Sequence, residues 1–218
     1  MLSRLPSSFS GRFLAVAIAI TFSTAIHSAP ESEFQSAFVQ FSQGQTGDSS
    51  AVDKSAELFG ALLTTEPGNP VLMAYAGAAT TMRATTTMLP WKKMGYAEDG
   101  LAMVDKALAL LTPAHNAPMQ RGTPGALEVR FVAANTFLAV PGFMNRGARG
   151  AKLLGEVLAS PLFAQSPLEF QGAVWLRAAK QAQAEKRLED ARKYLNEVIS
   201  SNAPQAHAAR AQLKDLAS

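Results

Sequence analysis

Apolar residues recur along this chain at intervals of three and four. Leu58, Leu62 and Leu63 share one helical face, as do Leu72, Tyr75, Ala76 and Ala79. Leu101, Val104, Leu108 and Leu111 continue the pattern. Leu153, Val157 and Leu158 follow, then Trp175, Ala178 and Ala179, then Leu188, Leu195, Val198 and Ile199. This is the period of a helix with one face turned to a core; a half-buried strand would alternate at every second residue, and no such run enriched in β-branched residues occurs. The pattern predicts helices over 31–43, 51–65, 70–89, 93–112, 124–139, 146–159, 167–183, 187–200 and 204–216. Segments 113–123 and 43–49 read as loops, the first because it holds two prolines, a glycine and no apolar stripe.

Helix starts are marked by caps and prolines. Asn69 precedes Pro70 and Thr123 precedes Pro124, each a cap followed by a proline where the first helical N–H is not needed. Ser166-Pro167-Leu168-Glu169 reads as a capping box, Asn202 with Gln205 as a second, and Ser50 with Asp53 as a weaker version.

The first thirty residues differ from the rest. Arg4 and Arg12 flank a positive start, no acidic residue precedes Glu31, and an apolar run extends from Phe13 to Ile20 and more weakly to Ile26. This is the layout of a secretory leader, with cleavage expected after Ala25 or Ala29, and the run is shorter than the ~20 residues of a membrane span. Residues 1–29 are therefore expected to be a signal peptide and 30–218 one exported domain, periplasmic or secreted. Retention of the leader as an anchor is the alternative.

Composition narrows the function classes. The 218 residues hold 20 Lys and Arg against 17 Asp and Glu, and two of the positive charges are in the leader. The near-balance left behind gives no global field for nucleic acid. With no cysteine, disulfides, thiolate metal sites and cysteine nucleophiles are excluded. Three histidines, His27, His115 and His207, form no paired ligand set, and neither a GxSxG elbow nor an SxxK motif is present. Residues 145–152 mix glycine with basic residues, but Leu153 stands where a phosphate loop needs Ser or Thr, so this is a basic helix start. No enzyme chemistry and no cofactor site is expected. Glu189 with Lys193 and Lys186 with Asp190 have the spacing of surface pairs on a solvated helix.

Prolines follow alternate helices at Pro67, Pro113, Pro161 and Pro204. Their spacing is longer than the ~34 residues of a tetratricopeptide unit and nearer the ~40–47 of HEAT-type repeats. Ser55, Phe59, Leu62 and Pro67 nevertheless have the spacing of a tetratricopeptide second helix. Met73, Ala76 and Gly77 stand where that motif has Trp, Leu and Gly, and Gly100, Val104 and Ala107 continue it after an insertion. Ala191, Leu195 and Val198 repeat the spacing near the C-terminus, whereas 124–161 matches poorly. The chain thus resembles the tetratricopeptide-repeat family. Blocks such as AYAG (74–77), PWKK (90–93), DGLAMVDKAL (99–108), EVRF (128–131) and LAVPGF (138–143) resemble an exported bacterial group of that kind with unassigned function. The resemblance implies an all-α, right-handed superhelix of about four hairpins with a C-terminal capping helix, and no reaction.

Gly77 and Gly100 each interrupt a predicted helix, where glycine costs about 1 kcal/mol relative to alanine. Close approach of the two helices is the expected compensation, and Ala74, Gly77, Ala78 and Thr81 form a small-residue stripe suited to it. Six methionines, Met73, Met82, Met88, Met94, Met103 and Met119, lie close together in the chain, as core filler or as the lining of an apolar groove. Arg83, Lys92, Lys93 and Arg130 are the best polar constellation. Arg83, Lys93 and Arg130 are expected to bind an acidic group on a protein or peptide partner, with Tyr75 and Met82 adding apolar contact in a concave groove. Their alternative role is local pairing with Glu98, Asp99 or Glu128. A small amphipathic ligand inside the superhelix is the rival to a protein partner.

Overall fold

The computed structural model describes residues 31–216; the expected leader and its cleavage points at Ala25 and Ala29 lie outside the described residues. The described chain is all-α, with nine helices and no strand: α1 (Glu31–Gln45), α2 (Ser49–Thr65), α3 (Pro70–Thr86), α4 (Pro90–Ala109), α5 (Gly125–Ala139), α6 (Gly147–Ala159), α7 (Leu168–Ala184), α8 (Leu188–Ser200) and α9 (Ala206–Asp215). No helix among the described residues is long and apolar enough to cross a membrane.

Neighbours in sequence are neighbours in space. Helix α1 packs on α2, α3 on α4, α5 on α6 and α7 on α8, while α3 also packs on α2 and α5. The α3 helix is enclosed on all sides, with every residue from Pro70 to Ala79 buried. Its run of alanines and Gly77 makes this geometry accessible, because small side chains let three or more helices approach at once. An aromatic group closes the α1 end: Tyr75 stacks on Phe59 at 4.9 Å and meets Phe34 and Phe41 edge-on at 5.4 and 5.1 Å.

The helix starts depart from the expected devices. Asn69 does cap α3, accepting the N–H groups of Val71 and Leu72. The cap of α2 is Asp48 rather than Ser50, and it accepts from the N–H groups of Ser50 and Ala51. That contact, led by the Ser50 side chain, lowers the Asp48 carboxyl below its usual range. Thr123 is buried and Pro124 takes the capping position of α5 without a side-chain bond. Ser166 instead turns back to the Leu162 carbonyl at 2.9 Å, and Glu169 turns to Arg121, so no capping box forms. Asn202 adopts a left-handed φ of 55° just past the end of α8 instead of starting α9.

The 113–123 segment carries two 3₁₀ turns, Pro113–Asn116 and Gln120–Gly122, pinned by one bridge between Pro118 and Pro124. On α8 the charged residues face solvent as expected, but the pairs differ. Arg192 joins Glu189, and Arg187 joins both Glu185 and Asp190, because a guanidinium fork can serve two carboxylates where an ammonium is a point charge.

Candidate functional site

The α3–α4 pairing sets the position of a groove on the outer face of α4. Gly77 and Gly100 face each other so closely that a β-carbon on either would meet the other's carbonyl oxygen at 2.7 or 2.5 Å. This contact, with Ala97, Leu101, Val104 and Ala107, turns one face of α4 inward. The opposite stripe, Met94, Glu98, Ala102 and Asp105, faces outward and forms one wall of a groove of about 430 Å³. Phe143 and Met144, from a 3₁₀ turn over Gly142–Met144, form the other wall with Arg146.

Asp105 fixes the far end of the groove. It binds Arg146 at 3.0 Å and also Arg149, and both guanidinium groups lie over the Phe137 ring, at 5.4 and 5.0 Å. Met94 and Phe143 of the lining are exposed, and Met88, Leu89 and Trp91, on the link into α4 and its first turn, are large hydrophobic residues left exposed as well. Such a concentration of apolar surface beside a groove is the usual mark of a docking surface.

A second cluster is sealed. Glu128, in the first turn of α5, is 1% exposed. Its Oε1 accepts the Tyr75 hydroxyl at 2.8 Å, while Oε2 has no hydrogen-bond partner. The Arg121 guanidinium stands 3.7 Å from Oε1, lies 3.7 Å over the Phe38 ring, and reaches Glu169 of α7 at 2.7 Å. The Arg121 backbone N–H donates to Glu31 of α1, and its left-handed φ of 57° permits this double engagement. Burial raises the Glu128 carboxyl to about 7, against the Tyr75 hydrogen bond and the Arg121 charge, which lower it. Burial, then the Glu128 charge, holds the Tyr75 phenol well above its usual range. The cluster ties α1, α3, α5 and α7 together; its carboxyl does not face solvent where a substrate could meet it. Among the described residues no three His, Cys, Asp or Glu side chains are grouped to hold a metal.

The residues expected at a partner site are dispersed. Arg83 pairs with Asp53 of α2 at 2.8 Å and lies over the Tyr96 ring. Arg130 is on α5, bonded to the Ala126 carbonyl and 3.6 Å from Glu156 of α6. Tyr75 is buried and bonded to Glu128, so it offers no contact surface, and Met82 packs against the same core. Only Lys93, with Lys92, stands exposed, on the first turn of α4, and neither lines the groove. Of the methionines, Met73 is core and Met82, Met103 and Met119 pack against it, whereas Met88 and Met94 are exposed. Phe143 and Glu98 line the groove, and Trp91 is exposed on the first turn of α4; none of the three belongs to the expected partner site. Trp91 and Phe143 lie within the PWKK and LAVPGF blocks, but nothing in their local pattern marks them as unburied.

Comparison of the chain with family models, with curated proteins and with solved structures gives no match.

Proposed function

We propose that this chain is a non-enzymatic, exported scaffold of tetratricopeptide-like hairpins that holds a segment of a protein partner in the α4 groove. In this account α1–α2, α3–α4, α5–α6 and α7–α8 are four units of a right-handed superhelix, with α9 as the cap. The tetratricopeptide positions Met73, Ala76 and Gly77 fall on the enclosed helix α3, which supports assigning α3–α4 as one unit. The protein works in the periplasm or outside the cell and needs no cofactor.

The observation that carries the function is the groove itself. Its floor and walls, Met94, Leu101, Ala102, Phe143 and Met144, are apolar, and its edges carry Glu98 and the Asp105–Arg146 pair. That combination suits an amphipathic segment: apolar side chains enter between α4 and Phe143 while polar edges fix its direction. In this reading the partner lies on the outer stripe of α4, and Arg83 and Arg130 serve as ion-pair partners within the scaffold.

Ala102 is exposed at the middle of the groove wall, so Ala102→Trp fills the groove without disturbing the core. Partner capture falls at least tenfold in this variant if the groove is the site, with the unfolding midpoint unchanged. Undiminished capture by the folded variant rejects the assignment. Native mass spectrometry showing a retained small amphipathic molecule, displaced by the same variant, would favour the rival ligand-binding role.

A further inference from the structure

We infer that the tip of the α3–α4 hairpin seats on an anionic lipid surface, which holds the scaffold beside a membrane and leaves the α4 groove to the partner. The inference does not depend on the partner assignment.

The apolar side chains at the tip protrude; they do not line a concavity. Met88 is 87% exposed and Trp91 68%, with Leu89 between them. A protein surface would need a matching pocket for each of these. A bilayer interface accepts them without one, with tryptophan at headgroup depth and aliphatic side chains just below.

Charge points to the same occupant. No Asp or Glu occurs between Glu66 and Glu98, so the segment that builds the tip is free of carboxylates. Lys92 and Lys93 directly follow Trp91, are exposed, and make no ion pair among the described residues. Arg83 is paired with Asp53 and adds no net charge there. Glu98 and Asp99 lie about two helical turns beyond Trp91, roughly 10 Å at 1.5 Å per residue, or about one Debye length at physiological salt. Lysines beside protruding aromatic and aliphatic side chains complement lipid phosphates over an apolar interior. The contact proposed for the tip is peripheral: no helix among the described residues is long and apolar enough to cross a membrane.

The probe is a vesicle of phosphatidylcholine, with or without phosphatidylglycerol, and with brominated acyl chains to quench buried tryptophan. The full chain is compared with Lys92→Gln/Lys93→Gln, Met88→Ser/Leu89→Ser and Trp91→Phe, all at exposed positions. The protein has two tryptophans, so the difference between wild type and Trp91→Phe isolates Trp91. Expected are binding that requires phosphatidylglycerol and weakens with salt, an about tenfold or greater loss in the lysine variant, and bromine quenching that disappears in Trp91→Phe. Vesicle binding undiminished in both double variants, with Trp91 unquenched, assigns any lipid contact to another part of the chain and overturns the inference. Failure to bind phosphatidylglycerol vesicles overturns it as well. So does self-association through Trp91 without vesicle binding, which makes a second copy of the chain the occupant.

Discussion

Gly77 and Gly100 exclude each other's β-carbons: the carbonyl of each occupies the space a methyl group on the other would need. The hairpin that carries the groove depends on this contact. Any larger side chain must push α4 away from α3 or shift the Met103 and Val104 side chains that also close on Gly77. Leucine is intrinsically a better helix former than glycine, so the sign of the effect is informative. Gly77→Leu is expected to destabilise by about 1–3 kcal/mol or more. Gly100→Ala is expected to do the same, since Thr81 also blocks that site. Chemical denaturation gives the sign; a raised midpoint with unchanged slope would contradict the packing.

The buried carboxyl of Glu128 makes stability depend on pH. Its folded value, about 7, lies above the ordinary 4.5. The folded protein therefore holds this proton more tightly than the unfolded chain, so the stabilising contribution is complete below 4.5 and is lost as pH rises through about 7. The difference across that window is on the order of 3 kcal/mol. Glu128→Gln keeps an acceptor for Tyr75 and removes the titration. Urea midpoints of wild type and variant should diverge as pH rises, with the wild type losing stability relative to Gln. Parallel pH profiles would show that Glu128 does not titrate in this window.

Arg83→Gln and Arg130→Gln break half-exposed ion pairs, at Asp53 and at Glu156. Each should cost less than about 1 kcal/mol. Because neither arginine lines the groove, partner capture by the double variant should match the wild type. Weakened capture by a folded double variant would return the binding site to these two arginines.

Asn69 is the one expected cap that forms as written. Both of its accepted N–H bonds are to buried residues, so Asn69→Ala should cost about 1 kcal/mol, measured by thermal or urea unfolding. Thr123→Ala tests the contrary case: with Pro124 in the capping position, any loss there comes from a buried side chain and not from a cap.

The periodicity located every described helix to within a few residues: outer helices such as α6 and α8 bury one stripe, and the enclosed helix α3 is delimited by its Asn69 cap and Pro70. The Gly77–Gly100 contact was legible for a related reason: glycine inside a helix needs a compensating approach. The caps were not legible. A serine or threonine before proline has two local partners, the helix ahead and the turn behind. At Ser166 the turn carbonyl of Leu162 wins. Glu128 looked like an ordinary first-turn acid, and only the closure of α1, α3 and the 120–122 turn over it buries the carboxyl. Tyr75 and Arg130 lie in helices predicted correctly, yet which helix covers each is a tertiary fact absent from their own spacing. The groove was missed because its second wall, Phe143, belongs to a short turn with no periodic signal.

The most direct test is site-specific photo-crosslinking with p-benzoylphenylalanine at Ala102, in the groove, and at Glu57, exposed on α2. The account predicts a crosslinked partner protein from position 102 and none from position 57. Crosslinks from 57 but not from 102, or none from either under conditions where the wild type retains its partner, would contradict the proposal that this chain works through the α4 groove.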